Sequence, residues 1–284
     1  MKNISKILFL VLLAVAAVSF VGCGPDEGPD GDPVMPTGAI EHSGFISADE
    51  TWTAGSIHIL KDRVIVKEGV TLTIEPGTIV KGEAGQEANA SALVIARGAK
   101  LMAEGTADKP IVFTSVADEV AVGEKFGTNL SSDRTKGFWG GLIVLGNAPI
   151  SPKTGVNEQI EGIPADVIEG KYGGDNAADN SGVITYVSIR FGGTLIGEGN
   201  EINGLTLGGV GSGTTIHHVE VIGTVDDGIE FFGGTVNVDH ALVAYQGDDA
   251  FDVDQAYSGT LNNFIYIAGA DSDHGLEIDG PEGS

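Results

Sequence analysis

From Trp52 onward, short apolar runs recur, separated by Gly, Asn and Asp. Val70-Thr71-Leu72-Thr73-Ile74, Ile111-Val112-Phe113, Leu142-Ile143-Val144-Leu145 and Val187-Ser188-Ile189 have strand length, and several alternate at period two. No amphipathic helical pattern of useful length lies between them. Strands recurring every ~20 to 25 residues without a crossover helix predict a solenoid.

The C-terminal third makes the repeat explicit. Ile216-His217-His218-Val219-Glu220-Val221 aligns with Val238-Asp239-His240-Ala241-Leu242-Val243 and with Leu261-Asn262-Asn263-Phe264-Ile265-Tyr266, at steps of 22 and 23 residues. Each unit continues into a second strand: Gly228-Ile229-Glu230-Phe231, Ala250-Phe251-Asp252-Val253 and Gly275-Leu276-Glu277-Ile278. Such a coil length predicts an all-β fold, a parallel β-helix with coils stacked at the ~4.8 Å strand spacing. Ile229, Phe251 and Leu276, and likewise Phe231, Val253 and Ile278, are the expected inward columns. Residues 116–136 and 156–181 are polar, Gly-rich and aperiodic, and are expected as long side loops.

Several segments carry a family resemblance. Ile74-Glu75-Pro76-Gly77-Thr78, Ala92-Leu93-Val94-Ile95-Ala96-Arg97-Gly98-Ala99 and Gly137-Phe138-Trp139-Gly140-Gly141-Leu142-Ile143-Val144-Leu145-Gly146 resemble the pectin-lyase-like right-handed β-helix. They are most similar to a group of bacterial (Bacteroidetes-type) surface lipoproteins without assigned function. The resemblance implies the fold from about Trp52 to the end and says little about activity.

The first residues have a different character. Lys2 and Lys6 precede an apolar run from Ile7 to Val21, too short to span a bilayer and typical of a signal peptide. It ends in Phe20-Val21-Gly22-Cys23, which resembles the lipoprotein processing box. Cys23 is the one cysteine of the chain, so it is the expected lipidation site and no intramolecular disulfide is possible. The following Gly24-Pro25-Asp26-Glu27-Gly28-Pro29-Asp30 run is an extended, self-repelling tether resembling a surface-export signal. The expected organisation is a signal peptide over 1–22, lipidated Cys23 and tether over 23–44, and the β-helix over 45–284. The expected location is the outer membrane, facing the medium. Because the chain stops just after a strand, a C-terminal truncation is also expected.

Composition adds the chemistry. The net charge is -25, which excludes nucleic acid as a partner. After Arg190 the remaining 94 residues hold 16 Asp and Glu and no Lys or Arg. Glu230, Asp252 and Glu277 form one predicted outward column and Asp254 with Asp279 another. Like charges ~5 Å apart repel by about 3 kcal/mol at an effective dielectric near 20. Raised pKa values, hydration or bound cations relieve this. Hard oxygen donors suit Ca2+; a solvated acidic face with hydrogen-bonded turn aspartates is the alternative. His217, His218 and His240, with Asp239 close by, offer a transition-metal donor set or simply a ladder of stacked polar side chains.

Asp227-Gly228-Ile229-Glu230, Asp248-Asp249-Ala250-Phe251-Asp252 and His274-Gly275-Leu276-Glu277 resemble the successive-coil motifs of polygalacturonase-type hydrolases. That resemblance implies Asp248 as general acid, Asp227 and Asp249 as the groups activating water, and His274 assisting. The chain departs from the pattern at Val225-Asp226 and Asp273-His274-Gly275, and lacks its later basic segment. The favoured function is a non-enzymatic surface lipoprotein that binds Ca2+ and, through it, glycan or matrix. A polysaccharide hydrolase and an adhesive stalk are the alternatives. Trp52, Trp139, Tyr172, Tyr186, Tyr245 and Tyr257 are the aromatic candidates for sugar stacking. Phe138-Trp139 is expected in the core, and Tyr172 exposed.

Cys23→Ser should release the protein from the membrane fraction of the cells that make it. Continued incorporation of labelled fatty acid into that variant would sink the anchor assignment.

Overall fold

The computed structural model describes residues 38–85, 89–197 and 200–283. The expected signal peptide, Cys23 and most of the expected tether lie outside the described residues. Seventeen strands form one parallel ladder. They wind as a right-handed β-helix whose coils present three faces.

On the face that matters most here, Ala92–Ile95, Leu142–Leu145, Leu205–Gly208, Ile229–Phe232 and Phe251–Asp254 stack in register. Leu93, Leu142, Leu205, Ile229 and Phe251 stand one above another and point inward, all fully buried. Ile95, Val144, Leu207, Phe231 and Val253 form the second inward column. No single coil encloses a core, so each strand keeps its apolar side dry by lying on the next. The expected columns hold through Phe251 and Val253. Leu276 and Ile278 occupy the next positions but are 39% and 69% exposed, because none of the described residues stacks on that coil.

The other two faces share long strands. Gly182–Arg190, Thr215–Ile222, Asn237–Ala244 and Thr260–Ile267 each turn a corner in mid-run. The corner residues Tyr186, His218, His240 and Asn263 have φ of 50°, 53°, 54° and 52°. A left-handed residue is costly for an L-amino acid, least so for Asn and His. Ring stacking offsets part of that cost: Tyr186 lies 4.4 Å from His218, and His218 lies 4.5 Å from His240 with planes only 4° apart.

The first described strand is Ile40–Ile46. Residues 116–141 and 146–181 are long connections, as the aperiodic stretches imply. The second is not free in solvent. Ile160, Ile163, Tyr172 and Ile202 pack on the outer side chains Val94, Ile143 and Leu145 and build a smaller core outside the coils. Arg63 and Arg97, on earlier coils, donate to the Gly162 and Gly173 carbonyls at 2.9 and 2.7 Å and pin the loop down.

Tyr172 therefore corrects the expectation of an exposed ring: it is 2% exposed. Its ring lies against Gly208, where a Cβ would come within 2.9 Å, and its hydroxyl donates to Gln255 Oε1 at 3.1 Å. Trp139 is fully buried, as expected, and donates from Nε1 to the Arg190 carbonyl at 2.7 Å.

Phe231 sits in mid-column with no exposure. Phe231→Ala should lower unfolding free energy by about 3 to 5 kcal/mol, the usual loss for emptying an aromatic core site. Urea unfolding followed by fluorescence measures it, and a loss below about 1 kcal/mol would contradict the stacked-column core.

Candidate functional site

The outer side chains of the main face change character along the stack. Val94, Ile143, Thr206, Glu230, Asp252 and Glu277 stand in one register column. The first two lie under the folded-over loop and are apolar. The column turns acidic where the loop's apolar contacts end. Glu230 sits at that edge and is only 8% exposed, while Asp252 is half-buried and Glu277 exposed. The predicted column is real, but its first member is covered rather than facing solvent.

Two residues complete this edge that sequence reasoning passed over. Glu161 descends from the loop and faces Glu230 as a carboxyl–carboxylate pair. Asn203 donates from Nδ2 to Glu230 Oε2, and to Glu161 Oε1 at 3.4 Å. Glu161 Oε2 also accepts the Glu201 amide at 3.2 Å. Nothing in the local pattern around Glu161 signals this, since only the return of the loop onto the coil brings it here.

The turn before the strands on this face carries a second ladder. Asn203 Oδ1 accepts the Asp227 amide at 3.0 Å, Asp227 Oδ1 accepts the Asp249 amide at 2.9 Å, and Asp249 Oδ1 accepts the His274 amide at 2.6 Å. Each side chain thus satisfies a backbone donor one coil further on, the hydrogen-bonded turn role foreseen for these aspartates. Asp227 and Asp249 are 7% and 1% exposed; Asp248 and His274 are exposed. The imidazole Nδ1 of His274 lies 3.1 Å from Asp249 Oδ1.

Among the described residues, three groups bring ligating atoms within 4.8 Å of one another: Asp227 with Glu230 and Asp252; Asp226 with Asp227 and Asp248; Asp249 with His274 and Glu277. Asp254 and Asp279 belong to none of these groups. Asp254 Oδ1 instead accepts the Gln255 amide at 2.6 Å, and Asp279 is exposed. Within the first of these groups, Asp252 Oδ1 is buried without a hydrogen-bond partner.

The electrostatics follow from burial among like charges. Burial first, then neighbouring carboxylates, pushes Asp227 up to about 9, Asp226 to about 7 and Asp252 to about 6. The Glu161–Glu230 pair moves the same way, because burial disfavours two charges and the pair keeps one proton between them. His274 is raised by Asp273 and Asp249.

The chain matches the family described as pectate-lyase like beta helix domain over residues 44–284, and it belongs to that family. No curated protein and no solved structure matches it.

A carboxyl whose pKa is higher when folded binds its proton more tightly in the folded state. Its contribution is favourable at low pH and is lost as pH rises from about 4 through the folded value. In EDTA the protein should therefore be more stable to urea at pH 5 than at pH 8. The windows close near 6 for Asp252, 7 for Asp226 and 9 for Asp227. The difference should shrink in Asp226→Asn with Asp227→Asn. A flat or rising profile in the unsubstituted protein would refute the buried-cluster assignment.

Proposed function

We propose that this member of the pectate-lyase like beta helix domain family is a non-enzymatic cell-surface lipoprotein whose acidic face holds Ca2+ and, through it, glycan or matrix. The observation that carries the reading is the group Asp227, Glu230 and Asp252, whose ligating oxygens lie within 4.8 Å of one another, together with the unpartnered Asp252 Oδ1. Fixed oxygens with no soft donor among them fit a hard cation. Glu161 would add an oxygen from the loop side. A bound divalent ion would take the place of the proton shared by Glu161 and Glu230 and relieve the repulsion along the column. The lone Cys23 after its apolar run supports the anchor, and the acidic tether supports display at the outer surface.

The hydrolase alternative has less support. Asp227 and Asp249 each commit an oxygen to a backbone amide of the next coil, so the pair expected to activate water is engaged in holding turns. Asp248 is exposed and His274 pairs with Asp249 at the surface, and on the binding reading Asp248→Asn leaves ligand capture intact.

The test is a thermal melt of the EDTA-treated protein against Ca2+, with Mg2+ as control. Saturating Ca2+ should raise stability by about 2.7 kcal/mol at one hundred times its Kd. Glu230→Gln or Asp252→Asn should remove the rise. No shift, or equal shifts with both ions, would overturn the reading; after a Ca2+-specific rise, an anionic-glycan screen in Ca2+ separates binder from stalk.

A further inference from the structure

A second donor cluster lies on the corner between the other two faces, away from the acidic column. In a regular strand, consecutive side chains point to opposite sides. At His218 the left-handed φ of 53° breaks that alternation and swings its ring onto the side of His217. The two imidazoles meet edge to face at 85°, with Nδ1 of one 3.0 Å from Nδ1 of the other. The same corner recurs one coil on. His240, at φ 54°, brings its Nδ1 to 2.9 Å from Asp239 Oδ2. The ladder register sets Asp239 directly beside His217.

We propose that His217 and His218 chelate a late first-row divalent ion, with Cu2+ bound most tightly, and that the Asp239 carboxylate on the next coil stands beside the pair as a counter-charge. Two ring nitrogens 3.0 Å apart match the spacing of neighbouring ligands around one such ion. The metal replaces the proton that the two Nδ1 atoms otherwise share. Imidazole nitrogen donors favour Cu2+ over Zn2+ and exclude Ca2+, so this site is independent of the acidic one.

The surroundings fix the donors. His240 stacks on His218 at 4.5 Å and holds its ring plane. Asp239 is held by His240, and its Oδ1 accepts from Asn262 Nδ2 and Asn263 Nδ2 at 3.0 Å each. That outer support is what a built ligand set requires. His218 and His240 also line an open groove of about 400 Å3 with Tyr186 and Phe126, so the corner is accessible to an ion and to a ligand on it.

The fold itself suggests the variant. Asn262 and Asn263 occupy the same two register positions on the following coil, Asn263 at φ 52°. His217→Asn with His218→Asn should therefore keep the corner while removing both nitrogens. The untagged full chain, saturated with Ca2+ to occupy the acidic column, is titrated with Cu2+ alone by calorimetry and electron paramagnetic resonance. The expected result is one tight equivalent showing superhyperfine structure from two imidazole nitrogens. The double variant should lose that signal and bind at least about tenfold more weakly. Asp239→Asn should weaken binding while keeping both nitrogens. Equal affinity and spectrum in the double variant would place the copper at another histidine and overturn the proposal. So would the absence of binding at 100 times the protein concentration, roughly the excess that saturates a weak site.

Discussion

Parallel stacking of coils is the constraint from which the rest follows. Each coil is laid on the last in near-perfect register, so a residue meets its counterpart about 22 positions later at the ~4.8 Å strand spacing. Inside, this is favourable for any apolar side chain, and the core is a set of columns. Outside, the same geometry stacks whatever the repeat carries, whether rings at the corner or carboxylates on the main face. Ring on ring is attractive. Carboxylate on carboxylate is not, and the structure answers it differently at each column. Asp227 and Asp249 turn theirs toward backbone amides. Glu230 shares a proton with Glu161, and burial makes Asp252 easier to protonate.

The repeat was open to inspection because stacking demands it. Ile216, Val238 and Leu261 align by eye, and the inward columns from Ile229 and Phe231 follow from period two. What lay beyond the sequence was the return of the loop over residues 146–181. An aperiodic segment gives no sign of where it lands, so Tyr172 was expected in solvent and Glu161 was not considered. Yet the reason the loop lands is present in the chain. Ile65, Val94 and Ile143 are outward positions that are nonetheless apolar, and an apolar outward column needs a cover. Gly208, bare beside Tyr172, is the complementary clue.

The boundary between covered and uncovered face explains why the acidic site lies where it does. A carboxylate in open water costs little and binds little. One sealed beneath an apolar cover is neutral. Glu230 stands where Val94 and Ile143 have given way to polar residues and the loop still shields one side. There the field of Asp226, Asp227 and Asp252 is felt at low effective dielectric, and a small counter-charge has the most to gain. Glu277 sits in the same column one coil beyond Asp252, yet it is exposed and water can screen it.

The corner obeys the same rule with opposite consequences. A left-handed residue must stand at the bend so that one strand can serve two faces, and four coils in succession place Tyr186, His218, His240 and Asn263 there. Turning the backbone also turns the side chain, so two neighbours in sequence become neighbours in space. His217 with His218, and Asp239 with His240, are therefore products of the bend and not of any strand pattern. A reading by period two sends each pair to opposite sides. The bend that closes the coil brings these donors together, and coil stacking then sets one pair beside the other.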